Sequence, residues 1–298
     1  MSEVTIAPVA REMLRPRLSE RQRIFHVMFS RWVVIFGIIV IAVFVLVAIA
    51  APLVARYDPL EVQLGSTFQP PSTTHWLGTD DLGRDIFSRI IYGSRISLLV
   101  GIVVVLIAGG IGMLLGLVGG YFGGWVNTVI MRFTDILMSI PPIILMIALS
   151  AVLGAGLHSI LISVSTIMIP SYTRLMCSQI LTLKETDFVV AANVIGAKNW
   201  HIMLRHLFPN AFPPLLVLIT INIGVAIMSE ATLSFLGLGI VPPTPAWGVM
   251  INQGFRYLIN APLLSLAPGV ALLLVVLAFN MVGDGLRDAL DPRLRGTL

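Results

Sequence analysis

VVIFGIIVIAVFVLVAIAA, residues 33–51, is a run of nineteen residues without a charge. A helix of about 20 mostly apolar residues crosses a hydrocarbon core of about 30 Å, so the run is long enough to span a membrane. Ala48-Ile49-Ala50 looks like a signal-peptide cleavage site. The apolar part of a signal is typically about 7–15 residues long and lies near the N-terminus. This run is longer and thirty-two residues precede it, so it reads as a retained anchor.

Working outward, the whole chain follows the same pattern. Its 298 residues are 57% hydrophobic and only 11% charged. Soluble domains carry about a quarter charged residues, and a chain this apolar cannot cover a water-facing surface. A soluble enzyme, a disordered chain and a secreted disulfide scaffold are excluded. Five further apolar runs follow at 96–118, 129–153, 157–169, 212–229 and 263–282. The third is interrupted by Arg132, Asp135 and Pro141-Pro142, and the fourth either ends at Pro170 or continues to Met176. The expected architecture is an all-α polytopic membrane protein with six transmembrane helices.

Lys/Arg placement sets the expected orientation, because cytoplasmic loops hold an excess of these residues. With the N-terminus inside, Arg11, Arg15, Arg17, Arg21, Arg23, Arg31, Arg174, Lys184, Lys198, Arg205, Arg287, Arg293 and Arg295 fall inside. Only Arg56, Arg84, Arg89, Arg95 and Arg256 fall outside, and Arg132 sits at a helix end. Both termini are therefore expected in the cytoplasm. The division that follows is a cytoplasmic tail at 1–30, a first span at 31–52, an external segment at 53–95 and a core at 96–286. Within the core lies a cytosolic loop at 178–211, and a cytoplasmic tail occupies 287–298. A second external stretch, 232–262, contains Pro242-Pro243-Thr244-Pro245, which disfavours a regular helix there.

The net charge of +4 is small and scattered, without the basic stripe a nucleic-acid binder needs. Cys177 is the single cysteine, so no intrachain disulfide can form. A P-loop needs Gly-Lys-[Ser/Thr], but Lys184 follows Leu183 and Lys198 follows Ala197. No HExxH and no GxSxG occurs, and His26, His75, His158, His201 and His206 all lie away from the middle of the apolar runs. No catalytic residue, metal site or cofactor is expected on this chain.

In the cytosolic loop, Phe188, Ala191, Ala192 and Ile195 recur at helical spacing, and Gly196 stands where a helix-ending glycine belongs. Trp200, Met203, Leu204 and Leu207 repeat the period as far as Pro209. The loop reads as helix, glycine bend, helix. Its first helix carries small residues that let another protein approach closely.

At these residues the chain resembles the membrane permeases of ABC transporters. Their loop motif is Glu-Ala-Ala, three residues, Gly, nine residues, Ile, any residue, Leu-Pro. Ala191-Ala192, Gly196 and Pro209 keep the spacing, while Val190, His206 and Phe208 replace the Glu, Ile and Leu. Further matches lie in His75-Trp76-Leu77-Gly78-Thr79-Asp80-Asp81-Leu82-Gly83-Arg84-Asp85, in Met131-Arg132-Phe133-Thr134-Asp135, and in Leu236-Gly237-Leu238-Gly239 with Pro242 to Gly248. Another is Ala278-Phe279-Asn280-Met281-Val282-Gly283-Asp284-Gly285-Leu286-Arg287-Asp288. Together they resemble the dipeptide/oligopeptide/nickel type, specifically its DppC/OppC-like subunit.

The resemblance implies a type I importer permease fold in a bacterial inner membrane and alternating access powered by separate subunits. The cargo would be di- or oligopeptides; nickel complexes or another small solute are the alternative. The implied partners are a second homologous permease, two cytosolic ATPases that carry the ATP and Mg, and an extracytoplasmic solute-binding protein. Asp187, Ala191, Ala192, Gly196, Ala197 and Pro209 would form the ATPase-coupling set. An ATP-independent carrier and a non-transporting membrane scaffold are the readings of other classes.

Ionisable groups at membrane depth are costly and often functional. Glu230 either lines the cargo path or faces water near the external end of the fifth span. Arg132 and Asp135, at i and i+3, form either a structural pair or a gate. Asp80, Asp81, Arg84 and Asp85 either dock the binding protein or pair among themselves as a solvated cluster, with Ile86, Ile90 and Ile91 suggesting an interfacial helix beneath. Gly109, Gly110, Gly112, Gly116, Gly119 and Gly120 are expected to permit close helix packing, with a pore-lining role as the alternative.

Overall fold

The computed structural model describes residues 28–290. Arg11, Arg15, Arg17, Arg21, Arg23, Arg293 and Arg295, on which part of the orientation argument rests, lie outside the described residues. Helix α1 spans Trp32–Ile49 and is followed by a short turn of helix at Ala51–Val54. Helices α2 (Ile86–Phe122), α3 (Gly124–Ser139), α4 (Pro142–Leu153) and α5 (Leu157–Lys184) come next. They are followed by α6 (Asp187–Val194), α7 (Phe208–Phe235), α8 (Trp247–Phe255) and α9 (Leu263–Leu290). Among the described residues five helices are long and apolar enough to cross a membrane; α3 and α4 make a sixth span if the pair counts as one.

Several boundaries differ from those expected, each for a local reason. The second span covers Ile86–Phe122, not 96–118. Asp85 caps its start, its side chain accepting from the Ser88 backbone N–H at 2.8 Å, so the charged turn around Arg89 is helical too. Ile86, Ile90 and Ile91 therefore belong to α2 itself and not to a separate interfacial helix. The third run is two helices bent by 91°. Pro141 and Pro142 lack backbone N–H groups, and Ile140 before them is extended at φ −97°, ψ 130°. Pro170, by contrast, does not end the fourth span, which continues to Lys184. One missing backbone donor is tolerated inside a helix held along its length by a neighbour.

That neighbour is α2. A Cβ on Gly112 would stand 2.7 Å from the Ile169 carbonyl oxygen, one on Gly116 2.7 Å from Met176 Cβ, and one on Gly120 2.8 Å from Ile180 Cβ. No side chain fits at these distances, so the i, i+4, i+8 glycine ridge lets α5 lie directly against the α2 backbone. The other glycines of the expected set differ: nothing faces Gly110 within 4 Å, and Gly109 and Gly119 meet ordinary van der Waals neighbours.

Val104, Val105 and Ala108 of α2, with Ile160, Val164, Tyr172 and Met176 of α5, form the centre of the core, and Leu215 and Leu233 of α7 close it. In lipid, helices gain little by leaving one apolar solvent for another, so close packing of this kind is what holds the bundle. A second core gathers on Trp247, fully buried at the start of α8. Its Nε1 donates to the Ile90 carbonyl at 3.1 Å and its ring meets Phe44 of α1 edge-on at 5.6 Å, tying three elements together.

Candidate functional site

The loop between α5 and α7 is shorter than 178–211. Helix α5 runs to Lys184, and the next helical stretch opens at Asn199–His201 and passes through a π turn at Ile202–Leu207 into α7. Pro209, expected to close the loop, is the second residue of α7 and lies where the π turn passes into that helix. Outside these helices stand only residues 185–198, with α6 at their centre.

Helix α6 begins after Thr186, with Asp187 exposed in its first turn, where a negative charge suits the positive end of the helix dipole. It ends in a Schellman motif. The Gly196 N–H donates to the Asn193 carbonyl at 3.0 Å and the Ala197 N–H to the Ala192 carbonyl at 3.1 Å. Gly196 takes φ +78°, the left-handed region that glycine reaches without Cβ strain.

The buried side of α6 is Val189 and Ala192, which pack on Ile202, Met203 and Leu207. Of the periodic set Phe188, Ala191, Ala192 and Ile195, only Ala192 is buried and the other three are exposed. Val194 and Ile195 are 81% and 82% exposed, and Phe188, Val190 and Trp200 stand open beside them. A contiguous exposed apolar patch is the ordinary mark of a protein-binding surface.

The end of α2 is bonded to the residues on either side of the loop. Tyr121, at the end of α2, donates its hydroxyl to Asn199 Oδ1 at 2.9 Å. Lys184 Nζ donates to the Tyr121 carbonyl at 2.8 Å, a cation on the negative end of α2.

The charged candidates fall elsewhere. Glu230 neither lines an open path nor faces water: its carboxyl is fully buried, accepting from Ser97 of α2 at 3.1 Å and from Ser234 at 2.8 Å. Spacing along one helix could not reveal Ser97, which arrives from 133 positions away. Glu230→Ala would leave two buried hydroxyls without an acceptor, at about 1–3 kcal/mol each for an unmet buried group. The Ala variant is expected to melt at a lower temperature than wild type and Glu230→Gln, which keeps an acceptor and the volume, to lose less. Equal melting of all three would show that this carboxyl does not hold α2 to α7.

Arg132 approaches Asp135 to 3.8 Å, but the closer partner is Arg174 of α5, at 2.5 Å. Arg132 and Arg174 are exposed and Asp135 is partly exposed, and the link joins α3 to α5. Hydropathy and charge counting place Arg174 only among the inside charges and do not reveal this pairing.

The stretch from Asp80 to Asp85 is self-paired but not solvated. Asp80, Arg84 and Asp85 are buried, as is Arg89. Asp80 accepts from the Leu82 and Arg84 N–H groups at 2.9 Å and from Arg84 Nε at 2.7 Å; Arg89 Nε lies 3.6 Å away. Asp85 also receives His75 at 2.9 Å, and Arg89 donates to the Pro59 carbonyl at 3.0 Å. Groups spent inward in this way cannot offer charge to a partner. Only Asp81, with a third of its side chain open, retains that capacity.

Residues 112–296 match the family model described as binding-protein-dependent transport system inner membrane component, and residues 19–71 match the N-terminal TM domain of oligopeptide transport permease C. The chain belongs to this family of transport permeases: it is a multi-pass, non-catalytic inner-membrane subunit built almost wholly of helices. Among its relatives is the dipeptide transport system permease protein DppC of Alkalihalophilus pseudofirmus, 44% identical over 88% of this chain and 86% of that one. The probable D,D-dipeptide transport system permease protein DdpC of Escherichia coli K12 is 42% identical over 87% of each chain. The glutathione transport system permease protein GsiD of Pectobacterium atrosepticum is 46% identical over 76% of this chain and 75% of that one. A solved chain of the MetNI methionine ABC transporter in an inward-facing conformation is 20% identical, with a TM-score of 0.49, covering 68% of this chain and 97% of that chain.

Proposed function

We propose that this chain is one of two permeases in an ATP-driven importer of short peptides, with α6 as the element through which a separate ATPase moves it. The observation that carries the coupling role is the exposed apolar face of α6, set on a glycine bend between a Lys184–Tyr121 bond that joins α5 to α2 and a Tyr121–Asn199 bond that joins α2 to the helical stretch entering α7. An apolar face at a loop, outside any span, calls for a protein partner. The relatives named for dipeptides, D,D-dipeptides and glutathione support a peptide cargo.

In this reading the α6 end of the bundle and both termini are cytoplasmic. One ATPase, holding ATP and Mg, sits on the α6 of each permease, and a solute-binding protein delivers cargo at the opposite end. Closure of the ATPases shifts the paired permeases between two arrangements, a gating transition in which this chain performs no chemistry.

The test is a tagged purification from native membranes in mild detergent. Co-elution of a second permease with ATPase subunits, and dipeptide uptake by the reconstituted assembly only with ATP, is the expected result. A single-chain eluate that transports without ATP would make the protein a carrier and end the proposal.

A further inference from the structure

At the end of the bundle away from α6, a cavity of about 320 Å³ opens between Asp81, the chain following α7, and α8 with the residues just after it. Its size lies at the small end of the range of about 300–1,000 Å³ that holds small-molecule ligands. Ile240, Val241, Pro242 and Val249 supply an apolar lining, and polar side chains make up the other half of it.

Two of those groups are unmet. Asp81 Oδ1 is buried and takes part in no hydrogen bond, its nearest cation, Arg84 Nη2, being 3.7 Å away. Arg256 lines the same cavity and, among the described residues, forms no ion pair with any carboxylate. A carboxylate with one oxygen lacking a donor and a solvent-exposed guanidinium paired, among the described residues, with no carboxylate thus line one small cavity. Asn252 and Gln253 stand beside them. Asn252 Nδ2 is committed to the Phe235 carbonyl at 2.7 Å, which leaves its own carbonyl oxygen as an acceptor.

We propose that this cavity is a binding site for a short zwitterionic peptide, its α-ammonium on Asp81 and its α-carboxylate on Arg256. An ammonium brings three donors and no acceptor; a carboxylate accepts two parallel bonds from a guanidinium. A simple anion would leave Asp81 unmet, and a simple cation would leave Arg256 unmet. A bare metal ion would find one carboxylate and neither His nor Cys in the lining. Asn252 and Gln253 offer partners to the peptide bond between the two termini. The site extends the peptide-importer reading and rests on it, placing a contact for cargo on the permease itself at the receiving end.

The test uses the complete importer in lipid nanodiscs, without its binding protein, and dialanine as the probe. Saturable dialanine binding is expected, weakened about tenfold or more by Arg256→Gln and likewise by Asp81→Asn, the usual scale for losing one charged hydrogen-bonding partner. Dialanine amide, which lacks the carboxylate, is expected to bind wild type weakly, and Arg256→Gln should no longer distinguish acid from amide. N-acetyl-dialanine should stand in the same relation to Asp81→Asn. Because each comparison is made within one protein sample, loss of folded material does not mimic the result. Absence of saturable binding, or binding that neither variant weakens, overturns the site. ATP-driven dialanine uptake with the binding protein present is scored separately: uptake without cavity binding refutes the site alone, whereas no uptake refutes the peptide reading.

Discussion

Gly196→Val is expected to lower ATP-driven uptake about tenfold or more, while Gly196→Asn keeps most of it. At φ +78° an L side chain with a Cβ pays about 1–2 kcal/mol, and a β-branched one is an outlier there. Asn enters this region more readily because its short polar side chain bonds locally. A cost of 1–2 kcal/mol changes the share of correctly bent loops by a factor of about 5–30. Among the described residues nothing lies within 4 Å of a Cβ at this position, so crowding by them cannot cause the loss. Two origins remain, backbone conformation and the surface of a docked partner, and the pair of variants separates them. Loss in Val with retention in Asn assigns the effect to the backbone. Equal loss in both assigns it to the partner's surface. Wild-type uptake by Gly196→Val would remove α6 as the coupling element.

Asp80→Asn is expected to be the most destabilising single change in the charged segment. Asp80 is the anion between two buried guanidiniums, and it also accepts from two backbone N–H groups. Breaking one partner out of a buried ion pair costs about 3–5 kcal/mol, because the remaining charge stays buried without compensation. Arg84 Nη2 and Arg89 Nη2 already lack hydrogen-bond partners, and the one other unmet acceptor beside them, Asp81 Oδ1, stands 3.7 Å from Arg84 Nη2, too far for a hydrogen bond. Asp81→Asn, on the partly open side, is expected to cost no more than about 1 kcal/mol. Thermal unfolding in detergent should therefore separate the two variants clearly. An Asp80→Asn chain as stable as Asp81→Asn would show that Arg84 and Arg89 do not depend on this carboxylate.

Legibility in the sequence followed the range of each interaction. Uncharged runs reveal spans because lipid tests every residue in turn, and residues 33–51 emerge almost unchanged as α1. Ends set by capping are harder to see: Asp85 carries α2 back into a turn that hydropathy alone calls external. The two prolines of the third run break it, whereas Pro170 does not, and the difference lies in α2 pressed along α5, which no local pattern reveals. The glycine bend was readable because a Schellman motif needs that residue at that place. Which face of α6 turns inward was not, since its exposed side is as apolar as its buried one. Partners distant in sequence, Ser97 for Glu230 and Arg174 for Asp135, were beyond the reach of spacing altogether.

Helix α2 also has a mechanical meaning. Its 37 residues make a rod of about 55 Å, well beyond the thickness of a hydrocarbon core. One tip carries the arginine and aspartate cluster, and the other carries Tyr121 against Asn199, just after the loop. A tilt of about 5° about the midpoint would displace each tip by about 2.4 Å, in opposite directions. Such a rod works as a lever with its fulcrum in the bilayer, so a push at the loop reaches the opposite surface as a movement of similar size and reversed sign.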